Sequence, residues 1–308
     1  MDSLLAPPPL RAGDQVRMVA PGGFVAPEVA DRAASELRSW GLVPTVGAHA
    51  LRRHHRFAAP DASRLADLQT AFDDPDVRAV LALRGGYGTA RIIDDLDLMG
   101  FLAAPKWAVG FSDLTVLLTC LGRWGYQALH ATMPVMFDAP GAADALASLK
   151  HTLFGGEVDY REAGHLLNRA GRGRGLLVGG TLSLLCDGIG TATDVATEGK
   201  ILFLEDVGEP LYKVDRMVRQ LQRAGRLRDL TGLIVGHFTD LDAGDPPFGA
   251  TVEEIVAEVV GAYAYPVAYG FPVGHVGRNL ALPCGREAEL TVGRGAVRLK
   301  TGGSGAIT

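Results

Sequence analysis

Apolar and polar positions along the first half of the chain switch repeatedly between two periods. A short apolar run over 17–20 ends in Pro-Gly-Gly, which predicts a buried strand feeding a turn. Over 27–40 apolar residues recur at helical spacing through Val29, Ala33, Ala34 and Leu37, and Gly41 supplies the stop. A second short strand is predicted over 42–46 and a helix over 63–72, closed by an Asp-Asp-Pro-Asp turn. A third strand over 77–83 stops at Arg84-Gly-Gly-Tyr-Gly88, and a helix is predicted over 90–96. A strand over 107–110 and a helix over 114–124 follow. Strands alternating with helices imply βαβ units and a parallel sheet, so residues 1–155 are expected to form an open, Rossmann-like α/β domain.

The pattern then changes. Residues 156–174 are polar and rich in Gly and Arg, and they read as a linker. Beyond them, apolar runs over 176–178, 201–204, 233–235, 288–292 and 296–299 predict strands, interrupted mainly by helices over 211–224 and 251–260. The expectation is a smaller, β-rich C-terminal domain over 175–308. No internal repeat is visible.

Composition narrows the function classes. The chain is 47% apolar and 21% charged, as expected of a folded soluble protein. A net charge of −5 carries none of the basic footprint of a nucleic-acid binder, and the Arg-Gly stretch over 169–174 reads as solvated linker, so no nucleic-acid partner is expected. Three widely spaced cysteines, Cys120, Cys186 and Cys284, suit neither a disulfide framework nor a zinc site, and fit a reducing compartment. The N-terminus lacks the basic and apolar regions of a secretory signal, and no apolar run reaches 18 residues; a cytoplasmic protein without a membrane span is expected.

Four places could carry chemistry. Gly110-Phe111-Ser112-Asp113 lies between a strand and an apolar helix. There, Ser112 is either a nucleophile presented on a sharp turn, with helix N–H groups free for an oxyanion, or, with Asp113, a simple helix cap. Arg84–Gly88 offers a glycine-rich strand end that is either an oxyanion-side loop or an ordinary βα turn; it meets no phosphate-loop pattern. The strand over 201–204 ends in Glu205 and Asp206, and a carboxylate there could orient an imidazole; Asp206 and Glu209 read as solvated loop acids. His275 stands in a glycine-flanked loop and could act as general base. The other histidines, including His54, His55, His130 and His237, show no metal-ligand spacing.

Taken in order, the segments Val19-Ala-Pro-Gly-Gly, Leu83-Arg-Gly-Gly-Tyr-Gly, Gly110-Phe-Ser-Asp, Gly179-Gly-Thr-Leu, Phe203-Leu-Glu-Asp-Val-Gly-Glu, Asp215-Arg216 and Pro272-Val-Gly-His span nearly the whole chain. The chain resembles the LD-carboxypeptidases, or muramoyltetrapeptide carboxypeptidases, and the related microcin-immunity serine peptidases. The resemblance implies a triad of Ser112, Glu205 and His275, with Ser112 on the N-terminal domain, the other two on the C-terminal domain and the active site between them. It implies an oxyanion hole from the N–H groups of Gly86 and Asp113. It also implies a peptide substrate ending in a D-amino acid, a murein tetrapeptide in cell-wall recycling, with no metal or organic cofactor and, by analogy, a homodimer. Arg84 or Arg278 is a candidate for the substrate's terminal carboxylate. Thr181 stands where the family usually has Asn, and alters specificity if it touches substrate. Two rival readings remain: an immunity-type peptidase that cleaves a peptidyl-nucleotide antibiotic, favoured by a loop aromatic near the site, and a non-catalytic nucleotide- or sugar-binding module.

Overall fold

The computed structural model describes residues 4–302. The first half runs β1 (Gln15–Val19), α1 (Pro27–Ser39), β2 (Val43–Val46), α2 (Asp61–Asp73), β3 (Val77–Ala82), α3 (Met99–Ala103), β4 (Trp107–Gly110), α4 (Thr115–Arg123), β5 (Ala128–His130) and α5 (Ala142–Leu153). The second runs β6 (Asp159–Ala163), β7 (Gly171–Thr181), α6 (Leu182–Asp187), β8 (Ile201–Val207), α7 (Leu211–Arg223), β9 (Gly232–Thr239), α8 (Val252–Val260) and β10 (Val267–Tyr269). It ends with β11 (Leu282–Cys284), β12 (Glu287–Val292) and β13 (Ala296–Thr301).

Two sheets organise these elements. The first has the order β11-β5-β4-β3-β1-β2. It is parallel except for β11, which returns from the second half to pair antiparallel with β5. The second has the order β10-β9-β8-β7-β12-β13-β6: parallel from β10 to β7, antiparallel from β7 to β6. The fold is therefore mixed α/β, with a largely parallel first sheet and a β-rich second half. Strands β3 and β4 are apolar on almost every residue because helices cover both faces of the sheet. Helix α1 starts with Pro27 in its first turn and buries Val29, Ala30, Ala33, Ala34 and Leu37 as one stripe. Helix α8 is opened by a reciprocal capping box between Thr251 and Glu254.

Two expectations fail locally. Residues 90–96 form no continuous helix but two short 3₁₀ turns, Thr89–Arg91 and Ile93–Asp95. Ile92 sits between them at φ −124°, and β-branched and Asp residues make a poor helix interior. The stretch 156–174 is no linker: it contributes β6 and the start of β7. Its Gly-Arg alternation is a period-two strand pattern. A Cβ on Gly173 would lie 1.9 Å from the Thr231 carbonyl oxygen, and one on Gly175 2.4 Å from that of Gly199. Only glycine fits that face, while Arg174 on the other face makes a bidentate ion pair with Glu287.

Candidate active site

The chemistry-bearing residues gather at the C-terminal ends of the parallel strands. Ser112 lies just past β4 with φ 61°, a left-handed conformation that side chains rarely adopt. Behind it the glycine loop packs without clearance: a Cβ on Gly85 would stand 2.8 Å from Ser112 Cβ and 2.9 Å from its Oγ. Gly22 is equally confined, since a Cβ there would lie 2.6 Å from the Gly85 carbonyl oxygen and from Asp113 Oδ2. Gly86, at φ +97°, follows on that loop.

Asp113 is buried and holds this arrangement. Its carboxylate accepts from Gly88 N (3.2 Å), Thr89 N (2.9 Å) and Thr89 Oγ1 (2.7 Å). Burial nevertheless pushes its pKa up. Neither Ser112 nor Asp113 caps the following helix with its side chain, so the capping alternative does not hold.

Glu205 is fully buried in β8, at a register irregularity against β9. Its Oε2 accepts from His275 Nδ1 at 2.7 Å, and its Oε1 from the Thr181 hydroxyl at 2.5 Å. Burial is the largest influence on its pKa and acts upward. The hydrogen bond and charge of His275, together with the Thr181 hydroxyl, outweigh it, so the carboxyl is held below its usual range. Gly274, at φ +125°, lets the loop approach: a Cβ there would lie 3.0 Å from Glu205 Cβ. The Gly274 N–H donates to Asn279 Oδ1 at 3.0 Å, which fixes the loop beside His275.

The Ser112 turn meets the Glu205–His275 pair by two routes. The ring of Phe111 packs edge-on against that of His275 with centroids 4.8 Å apart. One helical turn past Ser112, the Thr115 hydroxyl accepts from Thr181 N at 3.2 Å, and a Cβ on Gly180 would stand 2.6 Å from it. Thr181 in turn pairs across the sheet with Glu205. Phe111, His275, Glu205, Thr181 and Thr115 thus form a chain of contacts whose two ends flank Ser112 in the sequence.

Three sequence expectations are displaced. Thr181 is buried with its hydroxyl on Glu205, so that hydroxyl is committed to the carboxylate. The Arg278 guanidinium is committed: Nε donates to Asp144 (2.9 Å), and both terminal nitrogens donate to Glu162 (2.8 Å each). Those bonds raise its pKa and leave it no free fork for a substrate carboxylate. Asp206 is no solvated acid but buried, accepting from Ser183 N and Val207 N at 2.8 Å each; burial pushes its pKa up to about 6. Arg84 is exposed beside the glycine loop and donates to the Phe24 carbonyl at 3.2 Å.

One histidine that the sequence only sets aside as a metal ligand lies at the site. His130, at the end of β5, is fully buried beside Phe203 (ring centroids 5.0 Å) and Phe111 (5.7 Å), and burial pushes its pKa down to about 4. It is a neutral ring at the back of the site, within electrostatic reach of Glu205 and His275. Its signal in sequence was only a histidine closing a short apolar run. Among the described residues no cluster of three His, Cys, Asp or Glu side chains is placed to hold a metal ion, and no helix is long and apolar enough to cross a membrane.

Comparison with known proteins shows the family. Residues 16–131 match the family model of the LD-carboxypeptidase N-terminal domain, and residues 174–290 that of the LD-carboxypeptidase C-terminal domain. The murein tetrapeptide carboxypeptidase of Pseudomonas aeruginosa is 34% identical over 90% of this chain and 92% of its own. The crystal structure of a muramoyltetrapeptide carboxypeptidase from Oxalobacter formigenes superposes with a TM-score of 0.85 at 32% identity, covering 94% of this chain and 98% of that one. MccF in complex with glutamyl sulfamoyl guanosine superposes with a TM-score of 0.86 at 19% identity, over 98% and 99% of the two chains, which is a likeness of fold.

Proposed function

Since the chain belongs to the LD-carboxypeptidase family and is a serine-type carboxypeptidase, we propose that it releases the terminal D-alanine of murein tetrapeptide, using Ser112, Glu205 and His275. The observation that supports the reading is the chain of contacts from Thr115 through Thr181, Glu205 and His275 to Phe111, whose two ends flank Ser112.

Each residue has a step. Ser112 Oγ attacks the carbonyl carbon that joins the L-centre of the diamino acid to D-alanine, and His275 takes the hydroxyl proton. Glu205, bonded to Nδ1, fixes the tautomer and stabilises the imidazolium. The Gly86 and Asp113 N–H groups receive the developing oxyanion, each worth about 3 kcal/mol. The C–N bond breaks as His275 gives its proton to the leaving amine. Water, deprotonated by His275, then attacks the acyl-serine and restores Ser112.

A two-unit organisation, residues 1–155 with the nucleophile and the residues from 156 onward with the Glu–His pair, belongs to the same proposal. So do a cytoplasmic location, for which the three unpaired, buried cysteines speak, and a homodimer by analogy with the family. A second reading, cleavage of a peptidyl-nucleotide as an immunity-type peptidase would perform it, is favoured by one observation: Tyr87, in the loop that packs on the Ser112 turn, is 41% exposed and could stack on a base.

The test is release of the terminal alanine by wild type and Ser112→Ala from a tetrapeptide ending in D-alanine and from its all-L counterpart. Release from the first peptide alone, lost in Ser112→Ala, is expected. Release that survives the substitution removes Ser112 as nucleophile. No release at all, with cleavage of an aminoacyl-nucleotide, moves the function to the second reading.

A further inference from the structure

Beside the Ser112 turn the chain carries a concentration of positive charge that the triad does not use. Residues 52–56 read Arg-Arg-His-His-Arg, all exposed, in a protein whose net charge is −5. They belong to a tight turn closed by the paired hydrogen bonds of His54 and Phe57, N to O at 2.9 Å in both directions. This turn is tied directly to the site. Phe57 bridges Gly23, Ala58 N donates to the Gly22 carbonyl, and Gly23 N donates to the Gly85 carbonyl at 2.7 Å, on the loop that abuts Ser112.

The guanidinium groups are held but not neutralised. Arg53 lies over the Phe24 ring at 4.2 Å and Arg56 over the Tyr87 ring at 5.4 Å, while Arg84 reaches the Phe24 carbonyl from the other side. Asp61, a few residues along the chain from the turn, is occupied by Arg64 and Arg91. Among the described residues, Arg52, Arg53, Arg56 and Arg84 have no acidic partner within ion-pair distance, whereas most exposed Arg residues of the second sheet do. Four unpaired guanidinium groups, three of them set against aromatic rings, at one edge of a site suit an oxyanion ligand.

We propose that residues 52–56 and Arg84 form an anion-recognition rim that binds a carboxylate or phosphate carried by the substrate outside its scissile bond. This rests on the peptidase reading for what the substrate is, and it deepens that reading: the preferred substrates are anionic peptides. The rim also concentrates such substrates at the mouth of the site, an effect that salt suppresses.

The test is calorimetric binding of the tripeptide product to the whole protein, with the peptide's N-terminus extended by acetyl-serine, acetyl-aspartate or acetyl-phosphoserine. The wild type and two triple variants are compared: Arg52→Gln/Arg53→Gln/Arg56→Gln, and the same positions changed to Lys. In the wild type at low salt the charged extensions are expected to bind about tenfold tighter than acetyl-serine, as a few exposed charge pairs would provide. That ratio should fall towards one in the Gln variant and at high salt, and survive in part in the Lys variant, whose charge is kept. A gain for phosphoserine alone identifies phosphate as the ligand group; a gain for both extensions identifies oxyanion charge in general. A wild-type ratio of one, or a ratio unchanged in the Gln variant, overturns the proposal. If charged extensions bind more tightly but no tetrapeptide is ever cleaved, the rim stands and the peptidase reading falls.

Discussion

Replacing Thr181 by Val removes a single hydroxyl from a fully buried carboxylate while keeping the side-chain volume. In the native site Glu205 has two side-chain donors, the Thr181 hydroxyl at 2.5 Å and His275 Nδ1 at 2.7 Å. A hydrogen bond to a charged group contributes about 1.5–3 kcal/mol, so its loss weakens the ionised form of Glu205 by that amount. At 1.4 kcal/mol per decade the expected fall in kcat is about 10- to 100-fold. Thr181→Ser restores the donor and most of the rate. Stability supplies an independent reading. The folded pKa of Glu205 lies below its unfolded value, so its contribution is present above the unfolded value of about 4.3 and is lost as pH falls through the folded pKa. Thr181→Val shrinks that contribution. The gap in unfolding free energy between wild type and variant should be full at neutral pH and close in acid. The assays are D-alanine release under saturating substrate and urea denaturation at several pH values. A Thr181→Val enzyme with unchanged kcat but altered KM or peptide preference would refute the argument and return Thr181 to substrate contact.

Four further outcomes follow from the same geometry. Ser112→Gly should be more stable than Ser112→Ala by about 1 kcal/mol in thermal unfolding, since both lack the hydroxyl but only glycine accepts φ 61° without strain. Asp113→Ala should cost about 3 kcal/mol or more in urea denaturation, because it strands the Gly88 and Thr89 N–H groups and the Thr89 hydroxyl in the interior. Burial raises the Asp206 pKa to about 6, so the folded state holds that proton more tightly than the unfolded chain, and the stability it contributes at low pH is lost as pH rises through 6. Asp206→Asn should therefore gain on wild type by up to about 3 kcal/mol between pH 4 and pH 7, as paired denaturation curves would show. Arg278→Ala should lower kcat equally for peptides with a free and an amidated C-terminus; a KM effect confined to the free carboxylate would restore the substrate role that its ion pairs argue against.

What was legible in the sequence was whatever has a short-range cause. The βα alternation of the first half follows from apolar periodicity, and the ends of α1 and α8 from Pro27 and from the Thr251–Glu254 box. Ser112, Glu205 and His275 could be marked because each closes an apolar run or stands between glycines. The structure brings Glu205 and His275 into contact, with the Ser112 turn against them. What was hidden depends on partners distant in the chain. The alternation of Gly and Arg over 171–175 looks like linker until the Thr231 and Gly199 carbonyls are seen against Gly173 and Gly175. Thr181 and Arg278 looked available to a ligand because nothing local shows the carboxylates that claim them, from Glu205 in one case and from Asp144 and Glu162 in the other. His130 gave no signal because its neighbours, Phe203 and Glu205, come from the second sheet.

The position of His275 is set by both sheets at once. Its loop leaves β10 at the edge of the second sheet and re-enters the fold as β11, which pairs with β5 in the first, Leu282 opposite His130. Along the way Arg278 clasps Asp144 on α5 and Glu162 on β6, one residue from each half. Gly277 passes the Pro140 carbonyl so closely that a Cβ would stand 1.9 Å from it. The loop is thus a strap fixed at several points across the two sheets. Ser112 depends on the first sheet and Glu205 on the second, so a histidine anchored to either alone would leave the other contact to chance. Anchoring it to both makes the docking of the sheets and the assembly of the site one event. The strap's glycines and its Arg278 clasp thereby hold the imidazole where it meets Glu205.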